Sequence, residues 1–206
     1  MARLMENLFL FLLMKIKNQL ACGLLIGITL GVLITYALIA SADMRNCPEK
    51  NCAKDSEIIP ISDRGYFPAV HEALQNAKSS IHIASFELKY YDKYPSSLQN
   101  QIIEDLIAAN KRGVDVKIVL DEYADSDPNN NGYEYVKRSG VEIKYDSNKT
   151  TTHSKLIVID GKIVVLGSTN FSFYALEKNN EVDVILFSEK TAAYFERYFQ
   201  RLWDES

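Results

Sequence analysis

The 206-residue sequence has little of what marks the specialised classes of protein: five prolines, nine glycines and three cysteines. So few glycines and prolines exclude a collagen-like repeat, and so few cysteines exclude a disulfide-stapled miniprotein. With 47% hydrophobic and 24% charged residues, the chain is no disordered tail either. No surplus of positive charge is present; the formal net charge is −4. What remains is a globular protein with room for one domain of moderate size and an appendage. The cysteines carry little information. Cys22 lies in an apolar run, while Cys47 and Cys52 fall in the polar stretch 43–57 and could pair in an oxidising compartment. Without histidines nearby they make a poor zinc site.

The average charge conceals a split. The first 42 residues hold Arg3, Lys15, Lys17 and Glu6, a net +2, which leaves −6 for the remainder. Leu20–Ala40 carries no charge and matches the ~20 residues needed to span a bilayer, so it reads as a transmembrane helix. Ala40-Ser41-Ala42 resembles a signal-peptidase site, but signal h-regions run only about 7–15 residues, which favours an uncleaved anchor. Met14-Lys-Ile-Lys resembles a natural n-region and competes with Met1 as the start. Positive charges flank both ends, so the count alone does not orient the segment. The lysines hugging its N-terminal end point to a body outside the cytoplasm. The organisation expected is a flank at 1–17, an anchor at 18–40, a polar linker at 41–57 and a folded domain at 58–206.

Beyond Ile58, helical and strand-like segments alternate. Tyr66–Lys78, Leu98–Lys111, Tyr133–Arg138 and Thr191–Leu202 have helical apolar spacing. Ser80–Leu88, Val114–Leu120, Val141–Tyr145 and Val182–Phe187 read as strands, and Asp127–Gly132 as a loop. The alternation predicts an α/β sandwich around a mostly parallel sheet.

The chemistry is concentrated in Thr151–Glu181. Asp160-Gly161 between two β-branched runs predicts a two-residue hairpin turn. Centred there, the turn sets His153 opposite Ser168; slipped by one residue, it sets His153 opposite Asn170. Either register gathers His153, Lys155, Ser168 and Asn170 on one face and leaves Asp160 as a turn residue. An ammonium, a hydroxyl and a carboxamide beside an imidazole suit a phosphate under attack. His153 can act as nucleophile or proton carrier, and Glu181 can orient its ring. Nothing in the pattern resembles a metal-ligand cluster, so no metal or other cofactor is expected.

The combination His153-x-Lys155-x4-Asp160-x6-Gly167-Ser168-x-Asn170, followed by Glu181, resembles the signature of the phospholipase D superfamily position for position. The resemblance extends from about Ile58 to the C-terminus and includes the Lys111–Glu122 strand region. It implies a phospholipase D-like α-β-α sandwich with a mostly parallel mixed sheet, and phosphodiester hydrolysis through a phosphohistidine. By the same resemblance His153 is the nucleophile, and Lys155 and Asn170 are phosphate ligands. Ser168 supports them, Glu181 orients the histidine, and Asp160 and Gly167 complete the motif. Typical members carry two such motifs per chain, whereas His71 and His82 are not followed by lysine two residues on. A homodimer pairing two His153 side chains is therefore expected.

The substrate is less specified. Lys89-Tyr90-Tyr91, with Lys93-Tyr94, could line a nucleic-acid groove; the alternative is a loop packing its rings on the domain. Nucleic acid is the substrate expected from the small single-motif architecture, and phospholipid is the alternative. A membrane-anchored binding protein with a dead site is a third reading.

Overall fold

The fold is seen in a computed structural model that describes residues 58–122, 131–147 and 149–206. The expected membrane segment, the polar stretch with Cys47 and Cys52, and most of the Asp127–Gly132 loop lie outside the described residues. Among the described residues, no helix is long and apolar enough to cross a membrane.

Seven strands form one sheet: β1 Ile58–Ser62, β2 Ser80–Ser85, β3 Asp115–Leu120, β4 Glu142–Tyr145, β5 Lys155–Ile159, β6 Ile163–Gly167 and β7 Val182–Phe187. Their spatial order is β1-β7-β6-β5-β2-β3-β4. Among the described residues, five α-helices accompany them: α1 Tyr66–Asn76, α2 Leu98–Lys111, α3 Gly132–Arg138, α4 Phe173–Glu177 and α5 Glu189–Glu205.

The sheet is mixed, but the expectation of mostly parallel pairing fails. Only β2–β3 and β3–β4 pair in parallel; the other four pairings are antiparallel. The reason lies in the connections. Helices α2 and α3 supply the crossovers that parallel neighbours require, whereas the tight β5–β6 turn forces reversal.

Alternation along the strands separates two cores. Ile81, Ile83, Ile118, Leu120, Ile157 and Val165 pack with Val70, Leu74, Ile102 and Leu106 from α1 and α2. The opposite face presents Ala84, Val119, Val158 and Val164 to Ala192 and Phe199 of α5. Period-two strands between helices on both faces make the α-β-α sandwich. Helix α5 begins two residues before its apolar periodicity does, because Ser188 caps it: the Oγ accepts from Thr191 N at 3.2 Å.

His82 belongs to this second face. Its ring stacks on Phe199 with centroids 4.8 Å apart, and it bonds to Glu196 at 2.6 Å and Asp115 at 3.4 Å. Burial alone would lower its pKa, but the Glu196 and Asp115 carboxylates outweigh burial and raise it. The resulting stabilisation is complete below the unfolded-state value of about 6.5 and is lost as pH rises through the raised folded value. The melting-temperature difference between wild type and His82→Gln should therefore be largest in mild acid and shrink towards alkaline pH. A difference independent of pH would contradict this.

The β5–β6 turn is the other pinned feature. Asp160 (φ 53°) and Gly161 (φ 63°) occupy its centre, and Lys162 N donates to Ile159 O at 3.1 Å. Asp160 holds a left-handed conformation tolerated by few non-glycine residues, and its carboxylate explains why. It accepts from the backbone N–H groups of Lys78, Ser79 and Ser80 at 2.7–3.1 Å and from Ser79 Oγ at 3.0 Å. Burial would raise its pKa, but these donors outweigh it and hold the carboxyl below the usual range. Asp160 thus staples the hairpin to the start of β2. Asp160→Ala should cost about 2 kcal/mol by denaturant unfolding, given the usual worth of charge-assisted bonds. A loss below a few tenths would refute the staple.

Candidate active site

The motif converges on the end of the sheet where β2, β3 and β4 finish, the edge at which α/β sheets commonly place ligands. Two buried carboxylates that follow those strands fix it. Asp121, after β3, and Asp146, after β4, both accept from Thr152 N, at 2.8 and 3.0 Å. The residue so clamped is the one before His153. Beneath the histidine lies Phe86, just past β2, with ring centroids 4.4 Å apart. Phe86 N also donates to Ser154 O at 3.0 Å. His153 itself is exposed.

Lys155 folds back over the histidine. Its Nζ donates to His153 O at 3.0 Å and lies 3.4 and 3.3 Å from Nδ1 and Nε2. The same ammonium sits 4.9 Å from the Phe86 ring centroid. Burial lowers the Lys155 pKa, against the opposing pull of Glu87, Glu181 and Asp121. An arriving phosphate strengthens that opposing pull and favours the charged ammonium.

Ser168 and Glu181 form the other side. Ser168 Oγ donates to Glu181 Oε2 and accepts from Val182 N at 3.1 Å. Glu181 Oε1 accepts from Asn179 Nδ2 at 2.9 Å. Both carboxylate oxygens are engaged, and neither engages His153. The bond expected from Glu181 to the imidazole is thus not made within the chain. Two bonds with Asp63 hold the Glu181 backbone in place: Glu181 N donates to the Asp63 carboxylate Oδ1 at 2.9 Å, and Asp63 N donates to Glu181 O at 3.0 Å. Asn170 lies two residues beyond Ser168, and its Oδ1 is buried without a partner.

The hairpin register needs correction. Asp160 and Gly161 are the central turn residues, as expected, but Ile159 pairs with Ile163, leaving Lys162 as an extra residue. The register lies between the two expected ones and reverses their parity. Lys155 then falls opposite Gly167, one step beyond the Leu156–Leu166 pair. Shared strand parity does not bring His153 and Ser168 together. Instead the length of Lys155 links the two sides, resting on His153 while feeling the charge of Glu181.

Gly167 faces Asp183 on β7. A Cβ there would lie 2.4 Å from Val182 O and 2.5 Å from Asp183 Cα, so no side chain fits. The neighbouring Thr169 donates through Oγ1 to Asp183 at 2.6 Å. Burial raises the pKa of Asp183, against these hydrogen bonds.

The tyrosine cluster divides. Tyr90 stacks on Tyr135 at 3.6 Å and packs against the core. Lys89 pairs with Glu87 at 3.1 Å. Tyr91 lines a surface cavity instead. The supporting residues Asp63, Phe86, Asp121, Asp146 and Asp183 were not anticipated. Only Asp121 and Asp146 carried a signal, as acids placed directly after a strand.

The family described as cardiolipin synthase, PLD-like domain, matches residues 70–203, a span that takes in every motif residue. The chain belongs to the phospholipase D-like family. A solved phospholipase D family member, Nuc from Salmonella typhimurium, superposes with a TM-score of 0.63 at 30% identity, covering 72% of this chain and 96% of that one. A phospholipase D of Rickettsia typhi is 30% identical over 132 residues, 63% of this chain and 59% of that protein. A mitochondrial cardiolipin hydrolase of Chlamydomonas reinhardtii is 28% identical over 109 residues, 52% of this chain and 48% of that protein. The chain thus spans about half the length of these two relatives. Membership of this phospholipase D-like family accords with the mixed-sheet α/β fold described above.

Proposed function

We propose that this phospholipase D-like chain is a metal-independent nuclease acting as a homodimer through a phosphohistidine at His153. The carrying observation is the exposed His153 under the Lys155 ammonium, which also feels the charge of Glu181, the partner of Ser168. In the first step a ring nitrogen of His153 attacks phosphorus, and the P–O bond to the leaving nucleoside breaks. The leaving oxygen takes a proton from the imidazolium of His153 of the partner subunit. In the second step water attacks the phosphohistidine, gives its proton to the same partner imidazole, and releases the phosphate monoester. Lys155 and the Asn170 carboxamide meet the charge that develops on the phosphoryl oxygens.

Nucleic acid is supported over lipid by architecture. The small single-motif architecture carries that expectation, and the structural match takes in 96% of the compact Nuc chain. The names of the lipid-cleaving relatives favour the second reading, hydrolysis of phospholipid head groups. Tethering by Leu20–Ala40, with the domain outside the cytoplasm, is part of the same proposal and fits either substrate. The full-length chain should cleave oligonucleotides in excess EDTA. Release of phosphatidic acid from vesicles with oligonucleotides left intact would overturn the substrate reading.

A further inference from the structure

A cavity of about 660 Å³ opens between the loop that follows β2 and helix α4, within the size range of small-molecule sites, roughly 300–1,000 Å³. Tyr91, Tyr94, Phe173 and Tyr174 line it, together with Ser97 and Gln99 from the start of α2. Tyr94 and Tyr174 are about two-thirds exposed, at 68% and 67%. Lys93, Ser96 and Glu177 complete the lining, and three buried polar atoms beside it have no partners: Ser97 Oγ and both the Oε1 and Nε2 of Gln99.

The adjacent residue shows what this region does with an amide that serves structure. Asn100 is as fully buried as Gln99, and its carboxamide is saturated. It accepts from Tyr91 N at 3.0 Å and donates to Tyr91 O and Tyr94 O at 3.0 and 3.2 Å, stapling the loop to α2. Gln99, one position earlier, staples nothing. A buried amide with neither end paired is costly and unusual in a folded protein, and it calls for an explanation.

We infer that this cavity is a nucleobase subsite, in which a base of the substrate stacks on the tyrosines and bonds the Gln99 carboxamide. The inference rests on the nuclease reading above and names where the substrate is held. A base offers a π face to Tyr94 or Tyr174 and an edge carrying both donors and acceptors, the complement of an amide's two ends. An acyl chain fills the same volume but leaves all three polar atoms unpaired, forgoing roughly tenfold in affinity for each missed bond. The subsite is close to the chemistry. Phe173 follows Asn170 by three residues, so their Cα atoms lie at most about 11 Å apart, and Lys89 N ties the loop to Phe171 O at 2.9 Å.

The test compares a thymidine oligonucleotide with an abasic oligomer of equal length and phosphate charge, using the full-length chain. Wild type should show kcat/KM higher for the thymidine oligomer by about 10- to 100-fold. Gln99→Leu and Tyr174→Ala should each bring that value down towards the abasic one while leaving abasic cleavage unchanged. Unchanged abasic cleavage also shows that the variants fold. Equal cleavage of both oligomers by wild type, or equal losses on both in the variants, would overturn the subsite and leave the nuclease reading intact. Hydrolysis of cardiolipin vesicles with neither oligomer cleaved would overturn the nuclease reading itself, and the subsite with it. Fluorescence anisotropy of the two labelled oligomers gives the same comparison for binding, and equal affinities there would also overturn the subsite.

Discussion

His153→Asn is expected to lower phosphodiester hydrolysis by roughly 10⁴-fold or more, the usual cost of removing a nucleophile. Asparagine preserves polarity and approximate size, so little else changes. The His153 ring is exposed, with Phe86 beneath it and Lys155 against it, and it makes no hydrogen bond on which the fold depends. Melting temperature should therefore stay close to that of wild type while turnover disappears. The split between activity and stability separates an enzyme from a membrane-anchored binding protein, whose ligand affinity would survive the substitution. Activity within tenfold of wild type would remove His153 from the chemistry.

Dilution is expected to abolish activity by separating two half-sites. The leaving oxygen needs a proton, and the two other histidines are committed elsewhere. His71 bonds to Asp105 and Gln75 and stacks on Phe67, while His82 is held by Glu196, Asp115 and Phe199. Glu181 does not reach the imidazole of its own chain either, being bonded to Ser168 and Asn179. On the proposed mechanism the acid is His153 of the partner subunit, which a two-fold arrangement would supply symmetrically. Specific activity should fall with dilution below the dimer dissociation constant. Exchange with an equal amount of His153→Asn chain should reduce activity per wild-type chain to about half, because each mixed dimer lacks one histidine. A chain held monomeric, as shown by sedimentation, that keeps full activity would sink the shared site.

What the sequence disclosed follows the range of the interactions involved. Leu98–Lys111 and Val182–Phe187 match the structure to the residue, because local periodicity and the breaking Gly113 determine them. The motif residues were legible through their resemblance to the phospholipase D signature, not through strand parity. The hairpin register was not. One extra residue, Lys162, moves every partner by one and reverses the parity argument, and no local signal distinguishes a two-residue turn from a bulged one. Ser80–Leu88 ends early as a strand, at Ser85, because Phe86 turns away beneath His153 and Leu88 bridges to Phe171. Strand β1 and helix α4 are short and owe their form to neighbours, β7 and the motif loop, rather than to pattern. Asp63 likewise supports Glu181 across more than a hundred residues, a relation that only the folded chain displays.

The central claim is a covalent bond between His153 and the substrate phosphate. Its most direct test is peptide mass spectrometry of the full-length chain, quenched in alkali during turnover of an oligonucleotide in EDTA. The account predicts a phosphoryl adduct on His153 that forms and decays with the reaction. Sustained turnover in the His153→Asn chain, with no adduct on the wild-type residue, would contradict it.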